Sequence, residues 1–215
     1  MEIYETEEEQ LEALKRWWKN NGTASIVGFV LGIAIILGNN YWQAYQKEQL
    51  QLASNLYVDL SKAVAANNKD SVEKLAARLQ AEFADTHYAA YGELMLAKFK
   101  VDQSDKAAAK KILEHLTSLA DKEISNIATI RLVRLMMTDK EFEQGLKRVN
   151  NVDPASSSHF ANEYDELVGD LYSALNRPEQ ARTSYLKAQQ NGHQSPLLQT
   201  KIDDLTPPEK TGPKK

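Results

Sequence analysis

Val168-Gly-Asp-Leu-Tyr172, followed by Ala181, Tyr185 and Ala188, decides how most of this 215-residue chain folds. A small residue, then larger apolar and aromatic groups at helical spacing, describes two helices that cross closely at Gly169 and Ala181. Moved back by 36 residues, the same positions hold Leu132, Val133, Met136, Gly145, Val149 and Val152. A second step back gives Leu96, Ala97, Lys100, Ala109, Leu113 and Leu116, in which only Lys100 breaks the small or apolar rule. Polar breaks near Asn67-Asn68-Lys69, Asp85-Thr86-His87, Gln103-Ser104-Asp105, Thr138-Asp139-Lys140, Asn176-Arg177-Pro178 and Asn191-Gly192 separate the helical segments. No stretch shows the sustained apolar alternation of a strand, so the fold class expected is all-α.

Such a period is that of a tetratricopeptide-like α-solenoid, although the usual unit is 34 residues. One helix pair cannot bury its apolar face alone, so neighbouring pairs stack and about three are needed. Leu60 with Val72, Ala76, Leu79 and Phe83 reads as a degenerate first unit, and Ser195 to Leu205 as a capping helix. With repeat starts at Ala90, Asn126 and Asn162, the concave positions fall on Tyr91, Leu94, Lys98 and Val101, then Ile127, Ile130, Arg134 and Met137, then Glu163, Glu166, Asp170 and Ser173. These form a mostly apolar zone and an acidic one, a candidate groove for a partner or client polypeptide. The other reading covers the apolar zone as core, beneath the stripe Leu52, Leu56, Leu60 and Val64, because large exposed apolar patches are uncommon. An accidental spacing within an ordinary helical bundle is the plain alternative to the repeat itself.

Working outward toward the N-terminus, Gly22 to Trp42 is an apolar run of 21 residues without a charge. A membrane-spanning helix needs about 20 such residues. Trp17 and Trp18 before it, and Tyr41, Trp42 and Tyr45 at its end, are side chains that settle at the headgroup level. No short basic opening and no Ala-x-Ala site marks a cleaved leader, so an uncleaved single-pass anchor in the lipid bilayer is expected. Lys15, Arg16 and Lys19 precede the span, against Lys47 and Lys62 after it, which places the N-terminus in the cytoplasm. Ala24, Gly28 and Gly32 recur every four residues and form a candidate membrane-helix packing face. The expected divisions are an acidic cytoplasmic tail over 1–21, the membrane helix over 22–42, a helical domain over 43–205 and a disordered Pro-rich tail over 206–215. Leu11, Leu14 and Trp18 allow a short amphipathic helix in the first of these, on the inner membrane surface. Between Tyr41 and Ala66 no Gly or Pro interrupts the chain, so the span is expected to run on into the first helix of the domain, with Asn39-Asn40 the point of flexure.

Beyond the first 21 residues the chain carries 23 basic and 24 acidic side chains, a balance that gives no footprint for nucleic acid. The absence of cysteine excludes disulfides and thiolate metal sites. The four histidines are never four apart, and no phosphate-binding Gly motif or Gly-x-Ser-x-Gly elbow occurs. Neither a catalytic residue, nor a metal site, nor a cofactor is expected, and nothing argues for an enzyme.

The opening Met1-Glu-Ile-Tyr-Glu, Lys15-Arg16 before the span, the single Gly-rich span and the tetratricopeptide-like helices together resemble the YfgM family. Its members are ancillary subunits of the bacterial SecYEG translocon. The likeness covers nearly the whole chain and is most specific over the first 45 residues. It implies an inner-membrane protein with a periplasmic domain, working beside the translocon and the membrane-anchored periplasmic chaperone PpiD on clients emerging into the periplasm. It implies no catalytic residues. It also allows a second role, as a membrane-tethered regulator whose acidic N-terminal tail sequesters a cytoplasmic stress-response regulator.

Overall fold

The computed structural model describes residues 7–155, 157–192 and 194–205. Residues 1–6, Ser156, His193 and 206–215 lie outside the described residues, and with them the start of the acidic tail and the Pro-rich end expected to be disordered. Among the described residues there is no strand. The chain divides after Leu52, and its two units are taken in turn.

The described residues of the first unit lie within helix α1, Glu7–Ala65, which continues as helix across Asn39-Asn40. The expected point of flexure is therefore unbroken helix, because neither asparagine removes a backbone donor as proline would. Glu7 to Asn20 is likewise part of α1 and not a separate surface helix. The apolar window within α1 is long and apolar enough to cross a membrane, and only 6% of it is buried by the chain itself. Phe29 is 71% exposed and Ile35 70%. Apolar faces so bare in water would be costly, at about 25 cal/mol per Å² of apolar surface. A lipid environment removes that cost.

In the second unit the C-terminal end of α1 is followed by α2 (Lys69–Phe83), α3 (His87–Asp102), α4 (Lys106–Thr117), α5 (Lys122–Thr138), α6 (Phe142–Asn150), α7 (Ala161–Ala174), α8 (Pro178–Gln190) and α9 (Pro196–Asp204). Each helix from α2 onward packs on the next, and α5 also touches α3 and α7. This is the stacking of repeated helix pairs. The pairs are α3 with α4, α5 with α6 and α7 with α8, as the 36-residue period predicts, and the end of α1 with α2 makes the degenerate first unit. Its core joins Ala53, Leu56, Leu60 and Ala63 to Val72, Ala76, Leu79, Phe83 and Phe99.

Two local devices repeat along the stack. First, the turn inside each pair closes on a residue with positive φ: Asn67, Ser104, Lys140 and Asn176, the last three spaced by 36. The following N–H donates back five residues: Asn68 to Ala63 O, Asp105 to Lys100 O, Glu141 to Met136 O and Arg177 to Tyr172 O, at 2.8–3.0 Å. That bond satisfies a helix-end carbonyl that would otherwise lack a partner. Second, small residues mark the crossings. A Cβ on Gly92 would stand 2.8 Å from Leu79 Cδ1, and one on Gly145 3.0 Å from Leu171 Cδ2. At Gly169 a Cβ would run into the Tyr185 ring. Lys100, the exception in the repeat, keeps its side chain largely covered and reaches Glu73 at 2.5 Å, tying α3 to α2.

Candidate functional site

The twelve concave positions do not share one fate. Leu94 is 4% exposed and packs with Ala128, Leu132 and Leu135. Ile130 is 6% exposed and packs with Tyr164, Leu167 and Leu171. Both are core, so neither presents a surface to a partner. The element that covers them is the next helix pair in the stack; the Leu56 and Leu60 stripe of α1 covers Val72, Ala76, Leu79 and Phe99 instead. Ile127 and Met137 are half-buried against these same two cores. Tyr91 and Val101 are the exposed apolar members.

Lys98, Val101 and Arg134 come together. With Ala97, Leu113, Arg131, Leu135 and Thr138 they line a cleft of about 360 Å³ between α3, α4 and α5. Its floor is apolar and its rim cationic. Lys98 is paired with Asp102 at 3.1 Å, and Arg131 donates to Leu94 O at 3.3 Å. Arg134 has no ion pair among the described residues. Sequence reading missed Arg131, although its spacing of three from Arg134 puts both on one helix face.

The acidic zone is closed by the last helix. Lys201 of α9 lies 2.8 Å from Glu166 and 2.6 Å from Asp170, while Tyr185 Oη donates to Asp170 at 2.8 Å. Leu198 and Ile202 of α9 pack on Ala181, Tyr185 and Ala188. Burial works against the charge on Lys201, but the bonds and charges of Asp170 and Glu166 overcome it and hold the ammonium above its ordinary pKa. Burial, aided by Asp170, pushes the Tyr185 phenol well up. Two of the acidic concave positions are thus neutralised within the fold. Glu163 is half-buried, its Oε2 lacking a partner among the described residues, and Ser173 is exposed.

In the first unit, Ala24 and Gly28 are exposed and Gly32 is partly so. A Cβ on Gly28 or Gly32 would meet nothing within 4 Å. The small-residue face is therefore unused by the chain's own packing.

Comparison with known proteins matches these features to one group. A family model described as a tetratricopeptide repeat-like domain covers residues 15–207, which takes in the anchor as well as the helix pairs. The protein named "Ancillary SecYEG translocon subunit" in Escherichia coli (strain K12) is 30% identical over 96% of this chain and all of its own length. The chain belongs to the YfgM family of tetratricopeptide repeat-like proteins. A relative of the same name in Haemophilus influenzae is 33% identical over 93% of this chain and 97% of its own. The Neisseria gonorrhoeae relative, also so named, is 25% identical over 93% of this chain. No solved structure gives a significant match. In this member of the family, the cleft at Val101 and the face at Gly28 are the surfaces singled out in the sequence that stay open among the described residues.

Proposed function

We propose that this protein is an ancillary subunit of the Sec translocon in the bacterial inner membrane, acting by protein contact and without catalysis. The observation that carries the reading is likeness along the whole chain, span included, to subunits bearing that name. The 22–42 segment crosses the bilayer with its N-terminus in the cytoplasm, in keeping with Lys15, Arg16 and Lys19 on that side. Ala24, Gly28 and Gly32 face a helix of the channel, since small residues let two backbones approach closely in lipid. The helical domain lies in the periplasm, where the cleft between α3 and α5 holds PpiD or an emerging client. What supports this is an apolar floor with a cationic rim, suited to an apolar side chain flanked by acidic or carbonyl groups.

Photo-crosslinking in intact membranes tests both surfaces. A crosslinker at Gly28 is expected to capture a channel subunit, and one at Val101 or Arg134 to capture PpiD or a nascent chain. Silence at all three positions, with normal protein levels, would overturn the proposal. Capture at Gly28 alone would keep the translocon association and discard the cleft as the binding surface.

A further inference from the structure

A second recess, of about 650 Å³, lies on the helical domain away from the cleft, bounded by the start of α5, the end of α6 and the chain that follows it. Its polar floor is internally satisfied. Asn126 and Thr129 are buried, and their donors go to Lys122 O at 2.7 Å and Ser125 O at 2.8 Å. Asn126 Oδ1 accepts from the Tyr164 hydroxyl at 2.8 Å. The one acidic side chain at the edge, Asp153, is engaged in its own turn, accepting from Ala155 N–H at 3.1 Å.

The rim is different. Lys122, Lys147 and Arg148 all face this recess, and none has an ion pair among the described residues. Elsewhere in the unit, cations that bridge helices are matched: Lys100 to Glu73, Lys106 to Asp139, Lys110 to Glu141, Arg177 to Glu143 and Lys201 to Glu166. Lys122 is the first residue of α5, whose end is already matched by the Asp121 carboxylate accepting from Glu123 and Ile124 N–H, so the excess positive charge at the rim rests on the three side chains alone. Three unmatched positive charges around one concavity set up a local field that attracts an anionic partner.

We propose that this recess binds an acidic, extended polypeptide segment, its carboxylates meeting Lys122, Lys147 and Arg148. A polypeptide is favoured over a membrane surface because the cations surround a hollow with Val152 along one wall. A chain with alternating acidic and small apolar side chains enters such a hollow, whereas a bilayer meets protruding charges on a flat face. The proposal does not depend on the translocon reading.

The test uses the full chain in detergent micelles and a fluorescent peptide of alternating Glu and Ala, followed by anisotropy, beside the same peptide with Gln for Glu. Binding of the Glu peptide is expected, weakening as salt rises. The combined variant Lys122→Gln, Lys147→Gln and Arg148→Gln is expected to lose about tenfold in affinity. Lys147→Gln alone, at an exposed position that leaves the fold intact, is expected to lose about threefold. A control with the same charge change away from the recess, Lys69→Gln, Lys74→Gln and Lys111→Gln, is expected to bind as the parent does. Absence of binding, equal binding of the Gln peptide, or equal weakening in the control would overturn the proposal. So would capture of anionic lipid vesicles through the same three cations without any peptide binding, which would make the recess a membrane contact.

Discussion

Gly28 and Gly169 are the same residue in opposite surroundings. Around Gly28 a Cβ meets nothing within 4 Å, and around Gly169 it collides with the Tyr185 ring. The contrast extends to neighbours, since Phe29 is 71% exposed while Leu171 is fully buried. In the helical domain, water drives apolar side chains together, and glycine is needed where two helices of one chain cross. At Gly28 and Gly32 in the apolar part of α1 no contact within the described chain calls for glycine, and only the proposed packing on a helix of another molecule would. A small residue thus answers an internal contact in the helical domain, whereas in α1 it is left for the external contact proposed above.

The same substitution at both sites separates these roles. Gly169→Leu is expected to cost about 3 kcal/mol or more of domain stability, because the crossing of α7 and α8 must open around the Tyr185 ring. Gly28→Leu is expected to leave the thermal unfolding of the helical domain unchanged while reducing co-purification with the translocon. A stable Gly169→Leu protein would show that the crossing is not tight. Unchanged co-purification for both Gly28→Leu and Gly32→Leu would show that the small-residue face is not an interface.

A somewhat smaller effect is expected in alkali. Burial raises the pKa of Tyr164 to about 12, against 10.0 for a free phenol. A raised folded-state pKa means that the full contribution is present below pH 10 and is lost as pH climbs toward 12. At about 1.4 kcal/mol per unit, the change is roughly 2–3 kcal/mol. Denaturant unfolding of the parent and of Tyr164→Phe across that range measures it, and the stability gap between them is expected to shrink as pH rises. A constant gap would mean that the phenol is not held neutral by the core.

Next comes the closing helix. Lys201→Gln is expected to cost about 1–2 kcal/mol, between the values for surface and buried ion pairs, because its side chain is 23% exposed. Hydrogen exchange is expected to rise in α9 first, sparing α3 to α6. The smallest effect is expected at Lys62, whose pairing with Asp59 is exposed on both sides. Lys62→Gln is expected to shift stability by less than about 0.5 kcal/mol. A large loss there would mean that surface charge contributes more to this domain than burial suggests.

Much of the fold is legible residue by residue. Gly145, Gly169, Ala109 and Ala181 mark helix crossings because only a small group fits between two backbones, and Tyr185 fills the space beside them. The polar breaks located the turns inside each pair but not the residue with positive φ in each: Asn67 and Asn176 are of a type that visits that state, whereas Ser104 and Lys140 are not. Nor was the burial of Leu94 and Ile130 legible. An apolar residue on the first helix of a pair looks the same whether the next pair closes over it or leaves it open. Lys201 was missed for a related reason: its partners Glu166 and Asp170 lie 35 and 31 residues away, and only the fold brings them within 3 Å.

The amino-acid sequence by itself determined the uncharged run from Gly22 to Trp42 and the 36-residue period of helix pairs, because hydropathy and side-chain size act over one or two helical turns. Only the tertiary structure decided which concave positions remain open, which acidic groups α9 neutralises, and which cations are left unmatched around a hollow. Those outcomes depend on what packs across each face, a distance set by stacked helices and not by neighbours in the chain.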